Sequence, residues 1–234
     1  MNQVSEMIHP SWLIAGSLAL ALVPIILGTT TSYLKISVAL GVLRNGFGAQ
    51  QVPSNAIVMV LSLVLSLFVM QSTIEETVKK IEGVEPLSQT QVPTFATLSR
   101  YAEVFSPWRH FMREHVGERE LSVLATLAAR HTQVHETQAK ENPADNGNGD
   151  PEERLSILLP AFVLSELKSG LIIGFVLLVP FLVVDLIVAN VLAGLGLYMM
   201  SPTIISLPLK LLLFVSIDGW LLISRGIIAS YQGG

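Results

Sequence analysis

The sequence predicts an all-α protein of the integral-membrane kind, built as apolar helical hairpins with one small polar helical insert. Three observations carry that reading. Hydrophobic residues make up 51% of the 234 positions, above the roughly 45–50% of an ordinary soluble domain, even when glycine is counted there. The charges are segregated: of 32 charged residues, 23 fall between Ser72 and Arg154 and nine are spread over the remainder. Apolar runs on either side of that segment approach or exceed the roughly 20 helical residues needed to cross a hydrocarbon core about 30 Å thick. The chain thus divides into N-terminal apolar helices over 1–71, a polar, partly flexible insert over 72–156, and a C-terminal helical hairpin over 157–234.

Trp12–Gly28 is uncharged and near spanning length, with Pro24 placed to kink it. The N-terminal "MNQVSEMIHPSW" has neither the basic start nor the cleavage site of a secretory signal, so this first run is expected to be retained. "TSYLKISVALGVLRN" is helical in period and carries Lys35 and Arg44. "GFGAQQVPSN", Gly46–Asn55, is a break, and Ser54 or Asn55 caps the apolar helix Ala56–Met70, which is short for a span.

In the insert, "STIEETVKKIEGVEP" reads as a helix ending near Gly83. The stretch up to His131 has enough aromatic and aliphatic residues to pack as small helices. "ETQAKENPADNGNGDPEER" is a turn-rich acidic linker. Leu155–Met200 is too long for one straight span, with candidate bends at Pro160, Gly170, Gly174 and Pro180. A Ser201-Pro202 turn then leads into a second run, Thr203–Ala229. No internal repeat is evident.

Several chemistries are excluded or poorly supported. There is no cysteine, which rules out disulfides and thiolates. Net charge is −4 and no basic block suggests nucleic acid. His131 and His135 in "HTQVH" have the i, i+4 spacing of a helical metal pair, but no third ligand is suitably spaced. No phosphate loop, Ser-His-Asp set or paired-carboxylate site stands out, so neither an enzyme nor a bound cofactor or metal is expected.

Charge inside the apolar runs is the informative feature. An ionisable group in hydrocarbon costs about 2.5–3.5 kcal/mol on insertion scales, so Lys35, Glu166, Lys168, Asp185, Lys210 and Asp218 need partners, water or a protein interior. In a straight hairpin about Ser201, Asp185 and Asp218 lie at similar depth and Lys210 is level with Leu192. Glu166 is then roughly 40 Å from the level of Lys210. Intramembrane acids also suit an ion- or proton-coupled secondary transporter, with Glu166, Asp185 and Asp218 as relay groups. Such carriers usually show repeated halves, which this chain lacks. By the positive-inside rule, the segment holding Lys35 and Arg44 is cytoplasmic and the acidic insert lies on the other side.

Two blocks go beyond pattern. "TSYLKISVALGVLRNGFGAQQVPSN" and "LLPAFVLSELKSGLIIGFVLLVPFLVVDLIVANVLAGLGLYMMSPTIISLPLKLLLFVSIDGW" resemble the FliP/SctR family, an inner-membrane component of the type III export apparatus of flagella and injectisomes. The resemblance implies a pore-forming subunit that assembles as a homopentamer. Its companions would be copies of a small two-helix subunit and one larger single-copy subunit. The resulting helical multi-subunit channel projects into the periplasm and passes unfolded secreted proteins. It implies a constriction at Leu197, Tyr198, Met199 and Met200, where relatives often carry three consecutive methionines. It also implies an ion pair between Glu166 of "SELK" and Lys210 of "PLK" in neighbouring subunits. Flagellar members usually start with a cleavable signal, so the N-terminus favours the injectisome branch.

Overall fold

The computed structural model describes residues 10–48, 53–83, 103–136 and 154–232. The N-terminal dozen expected to lack a signal and the acidic linker lie wholly or mostly outside them. Among the described residues nine helices follow one another: α1 (Pro10–Thr30), α2 (Tyr33–Gly46), α3 (Asn55–Val69), α4 (Gln71–Glu82), α5 (Ser106–His115), α6 (Glu118–Glu136), α7 (Leu155–Gly194), α8 (Pro202–Ser216) and α9 (Gly219–Gln232). The predicted cap of the second apolar helix forms, with the Ile57 N–H donating to Ser54 Oγ.

The longest element differs from expectation. α7 is one continuous helix of 40 residues, about 60 Å long, and neither Pro160 nor Pro180 ends it. Gly170 and Gly174 are not breaks either. A Cβ on Gly170 would lie 2.7 Å from the Lys35 carbonyl oxygen, and one on Gly174 would lie 2.7 Å from Val42 Cβ. The two glycines, one turn apart, let α2 lie directly on the backbone of α7. Contacts run from Lys35 at Gly170 through Val42 at Gly174 to Gly46 at Leu178 and Phe181, so α2 and α7 are parallel.

The second run is broken where the sequence suggested continuity. α8 and α9 meet at 64°, and Asp218 between them has φ +52°, a left-handed conformation that aspartate tolerates better than bulky residues do. α3 and α4 likewise meet at 66°. Among the described residues, by length and composition, one helix (α7) is long and apolar enough to cross a membrane, or up to three spans if each bent pair counts as one.

Among the described residues two apolar cores result. The larger joins Ile36, Ala39, Leu40 and Leu43 of α2 to Leu65 of α3, Phe181 of α7, Phe214 of α8 and Ile227 of α9. Phe47, just past α2, packs its ring 4.8 Å from Phe181 and 5.2 Å from Phe214. The smaller core docks the insert: Phe111 and Met112 of α5 and Leu121 of α6 pack on Ile157, Leu158, Ala161 and Phe162 of α7. Among the described residues the insert therefore shares its core with the first turns of α7 instead of forming a separate unit.

Candidate functional site

The chain places four of its predicted site residues, Lys35, Glu166, Asp185 and Lys210, at the two ends of α2. At the end next to the insert, Glu166 and Lys35 form an ion pair at 3.2 Å, with side chains 1% and 6% exposed. The Tyr231 hydroxyl, from the last turn of α9, donates to Glu166 Oε2. The Lys35 ammonium lies 3.7 Å from the centre of the Tyr231 ring, within cation–π range. Tyr231 OH also lies 3.5 Å from the Ser32 carbonyl, and His115 Nε2 of the insert is 3.3 Å from the Tyr231 carbonyl. One buried cluster thus gathers α2, α5, α7 and α9.

At the other end, Lys210 of α8 pairs with Asp185 of α7 at 2.6 Å and donates to the Gly46 carbonyl at 2.8 Å. Gly46 is the last residue of α2, whose final carbonyls lack intrahelical partners and carry the negative end of the helix dipole. The ammonium therefore caps α2 as well as neutralising Asp185. Ser206 donates to the second oxygen of Asp185. Lys210 is 1% exposed, whereas the Asp185 side chain is 34% exposed.

Glu166 and Lys210 therefore do not meet within the chain. Each already has an in-chain partner, and the two clusters stand nineteen residues apart on α7, about 28 Å. Hairpin counting missed the Asp185–Lys210 pair for a definite reason. It measured from Ser201 and treated the loop as helix. Measured from the helix ends, Asp185 is nine residues before Gly194 and Lys210 eight after Pro202, which makes them level.

Two of the predicted buried charges are exposed in this chain. Lys168 is two residues past Glu166, about 200° around the helix, so its side chain is 54% exposed and pairs with Glu120 of α6 at 2.7 Å. That hydrogen bond from Lys168 holds the Glu120 carboxyl below its ordinary range. Asp218 is exposed at the α8–α9 bend, where its carbonyl accepts from the Leu222 N–H at 3.1 Å. The cation count behind the predicted orientation also changes. Lys35 and Arg44 are not loop charges. They lie near opposite ends of α2, the first buried in an ion pair and the second bonded to Asn55. The charge argument for a cytoplasmic first segment accordingly falls away. The side chains of His131 and His135 lie outside those described.

The four constriction candidates occupy the loop between α7 and α8. Its backbone is wired in place. Gly196 has φ +73°, its N–H donates to the Ala193 carbonyl at 3.1 Å, and the Leu197 N–H donates to the Leu192 carbonyl at 2.9 Å. This is a Schellman C-cap with glycine at the left-handed position. The Met200 N–H then returns to the Leu197 carbonyl. On this fixed loop the side chains point away from the body: Tyr198 is 80% and Met199 100% exposed, with Leu197 and Met200 about half so.

The FliP family model matches residues 17–227. This chain belongs to the FliP family. It is 35% identical over 214 residues to the Yop proteins translocation protein R of Yersinia pestis, covering 92% of this chain and 93% of that protein. It is 37% identical over 214 residues to the surface presentation of antigens protein SpaP of Salmonella typhimurium, covering 90% and 92%. The flagellar biosynthetic protein FliP of Agrobacterium fabrum is 36% identical over 213 residues, with 91% and 80% covered. Identity to secretion and flagellar relatives is alike, so identity does not divide the two branches.

Sequence reasoning found the lysines and acids of this FliP-family chain but missed the residues that complete each cluster. Tyr231 had no signal, being a lone aromatic near the C-terminus. Ser206 and the Gly46 carbonyl are ordinary in sequence and become partners only through the parallel lie of α2 on α7.

Proposed function

We propose that this chain is a pore-forming core subunit of a type III export apparatus, conducting unfolded proteins across the bacterial inner membrane and not catalysing a reaction. Support comes from family membership and from relatives named for translocation of Yop proteins, presentation of surface antigens and flagellar biosynthesis. In this reading several copies, five by resemblance, form a ring with other subunits of the same machine, the small two-helix and larger single-copy companions, and project towards the periplasm.

The observation that carries the proposal is the loop Leu197–Met200. A tip facing only water would be served better by small polar residues. Here a capped, hydrogen-bonded loop presents Tyr198, Met199 and Met200 outward. Repeated around an axis, these become a collar of flexible apolar side chains. Such a collar can close on itself, reshape around a passing chain, and exclude water and ions when empty. The Glu166–Lys210 pair between copies enters the proposal as an exchange on assembly, each residue leaving its in-chain partner for its counterpart in the neighbour. The carrier reading has less in its favour: Glu166 and Asp185 are each neutralised by a lysine, and Asp218 lies outside on a bend.

The test is leakage. In cells making the full set of partners, Met199→Ala with Met200→Ala is expected to assemble normally yet admit ions and a small dye at rest, with Tyr198→Ala adding to the leak. An assembled variant as tight as the parent removes the loop from the seal.

A further inference from the structure

We propose that His115 is a proton-operated clasp: a second proton on its ring joins the insert to the last turn of α9, and loss of that proton loosens the insert. The geometry is a ring held between two acceptors. His115 Nδ1 lies 2.8 Å from the Phe111 carbonyl of its own helix, and Nε2 lies 3.3 Å from the Tyr231 carbonyl of α9. A neutral imidazole carries one N–H, so it donates to one of these carbonyls and turns a lone pair towards the other. The imidazolium donates to both. The two distances identify the bond that depends on the extra proton. The shorter contact stays within α5 and is met by a neutral ring protonated at Nδ1. The longer contact is the one that joins two elements.

The surroundings favour the charged ring. α5 ends at His115, so the ring sits at the negative end of that helix dipole. Tyr231 stands in the last turn of α9, where carbonyls lack intrahelical partners, so a second negative helix end faces the ring. Glu114 lines the same recess, which has a volume of about 310 Å³ and gives water, and with it a proton, a way to the imidazole. Beyond Tyr231 stand Glu166 of α7 and Lys35 of α2, whose opposite charges answer each other. The wall from α3 and α4, with Phe68, Ser72 and Thr73, brings no charge. Arg113, two positions earlier on α5, lines other recesses.

Aromatic contacts hold the ring ready in either state. The His115 ring centre lies 4.4 Å from that of Phe111 and 5.1 Å from that of Tyr231, and Phe111 in turn packs edge-on against Phe162 of α7. The proton therefore adds a bond without rebuilding the site. The Tyr231 hydroxyl donates to Glu166, so the clasp grips the residue that closes the Lys35–Glu166 cage. Histidine is the side chain whose ordinary charge change falls between pH 5 and 8, and acidity around the insert then sets how firmly insert and cage are held together. The rival is a ring that only packs, neutral with one bond, which gives no response to pH. This inference does not depend on the pore.

The test reads how often the insert opens. The chain has no cysteine, so Met112→Cys puts a single thiol beneath the insert, where Met112 is 2% exposed. Ser122→Cys gives an exposed control on α6. Each is reacted with a methanethiosulfonate reagent in the assembled, detergent-purified protein, and the ratio of buried to exposed rate at each pH removes the ionisation of the thiol. That ratio is expected to rise about tenfold from pH 5.5 to pH 8, the scale of one hydrogen bond. His115→Gln and His115→Phe, which have no proton to gain, should hold it near the pH 8 value throughout. Tyr231→Phe should keep the response, because the partner is the Tyr231 carbonyl, and Glu114→Gln should keep it too. A ratio flat with pH in the parent overturns the proposal, as does a response that survives in both His115 variants or vanishes in Glu114→Gln. Should neither His115 variant assemble, a chain with the other four of its five histidines changed to Gln decides: a response kept there belongs to His115, and a response lost overturns the clasp.

Discussion

The two lysine–carboxylate pairs of α7 use the same chemistry and are closed to different degrees. Lys35 and Glu166 are both shut in, with Tyr231 completing the cage. In the other pair the lysine is shut in but Asp185 keeps about a third of its side chain open. A buried ion pair adds little net stability, because desolvation roughly offsets attraction, but stranding one partner is costly. The closed pair is therefore a lock whose opening strands a charge. The open pair has a face through which water or another subunit can reach the carboxylate.

The sharpest way to break this comparison is to strand the closed lysine. Glu166→Ala should cost about 3–5 kcal/mol, read from denaturant titration of the solubilised chain. Removing both charges with Lys35→Met and Glu166→Leu should return stability to near the parent. A single variant losing less than about 1 kcal/mol would mean that water reaches the site and that the two clusters are alike.

Asp185→Asn should do less, about 1.5–3 kcal/mol, the scale of one hydrogen bond to a charged group. Lys210 keeps the Gly46 carbonyl and the negative end of α2, and the aspartate site already has partial access to water. Equal losses at the two ends would remove the distinction between lock and open face.

Assembly can be tested by charge exchange. Lys210→Glu alone should impair complex formation, since it places acid beside Asp185. Adding Glu166→Lys should restore a measurable part of the assembled yield if copies exchange partners. A double variant no better than the worse single one would leave both residues with Asp185 and Lys35, and the joint between copies would have to lie elsewhere.

What was legible in the sequence follows from range. The helical class, the Ser54 cap and the loop before Pro202 are local signals of period and turn chemistry, and all appear in the structure. The bend at Asp218 was not legible, because an aspartate before glycine in an apolar run reads equally as a tolerated charge within a helix. The ion pairs required knowing that Gly170 and Gly174 admit α2 onto α7. In sequence those glycines look like breakers, whereas their role is close approach. Lys168 and Asp218 read as buried charges because both interrupt apolar sequence. Exposure depends on helix face, and a helix apolar nearly all round does not reveal which face is inward.

The smallest expected effect lies just outside the lock, where Lys168 ties α6 to α7 through Glu120. The hydrogen bond from Lys168 lowers the Glu120 carboxyl below its ordinary range, so the unfolded chain takes up this proton more readily than the folded one. The tie accordingly contributes above the usual carboxylate pKa, near 4.3, and fades as pH falls through the lower folded value. An exposed pair of this kind is worth only about 0.5 kcal/mol. Glu120→Gln should therefore trail the parent by that amount at pH 7 and match it near pH 3. The measurement is the stability difference between the two proteins across that interval. The insert itself should stay docked throughout, because the Gly117 N–H donates to Ser165 Oγ at 2.9 Å and the Phe111 and Phe162 contacts carry no charge. A stability gap that is flat with pH would assign the loss to packing of the Glu120 side chain. A gap that widens towards acid would mean that Glu120 is held protonated and that the tie to Lys168 is not formed in solution.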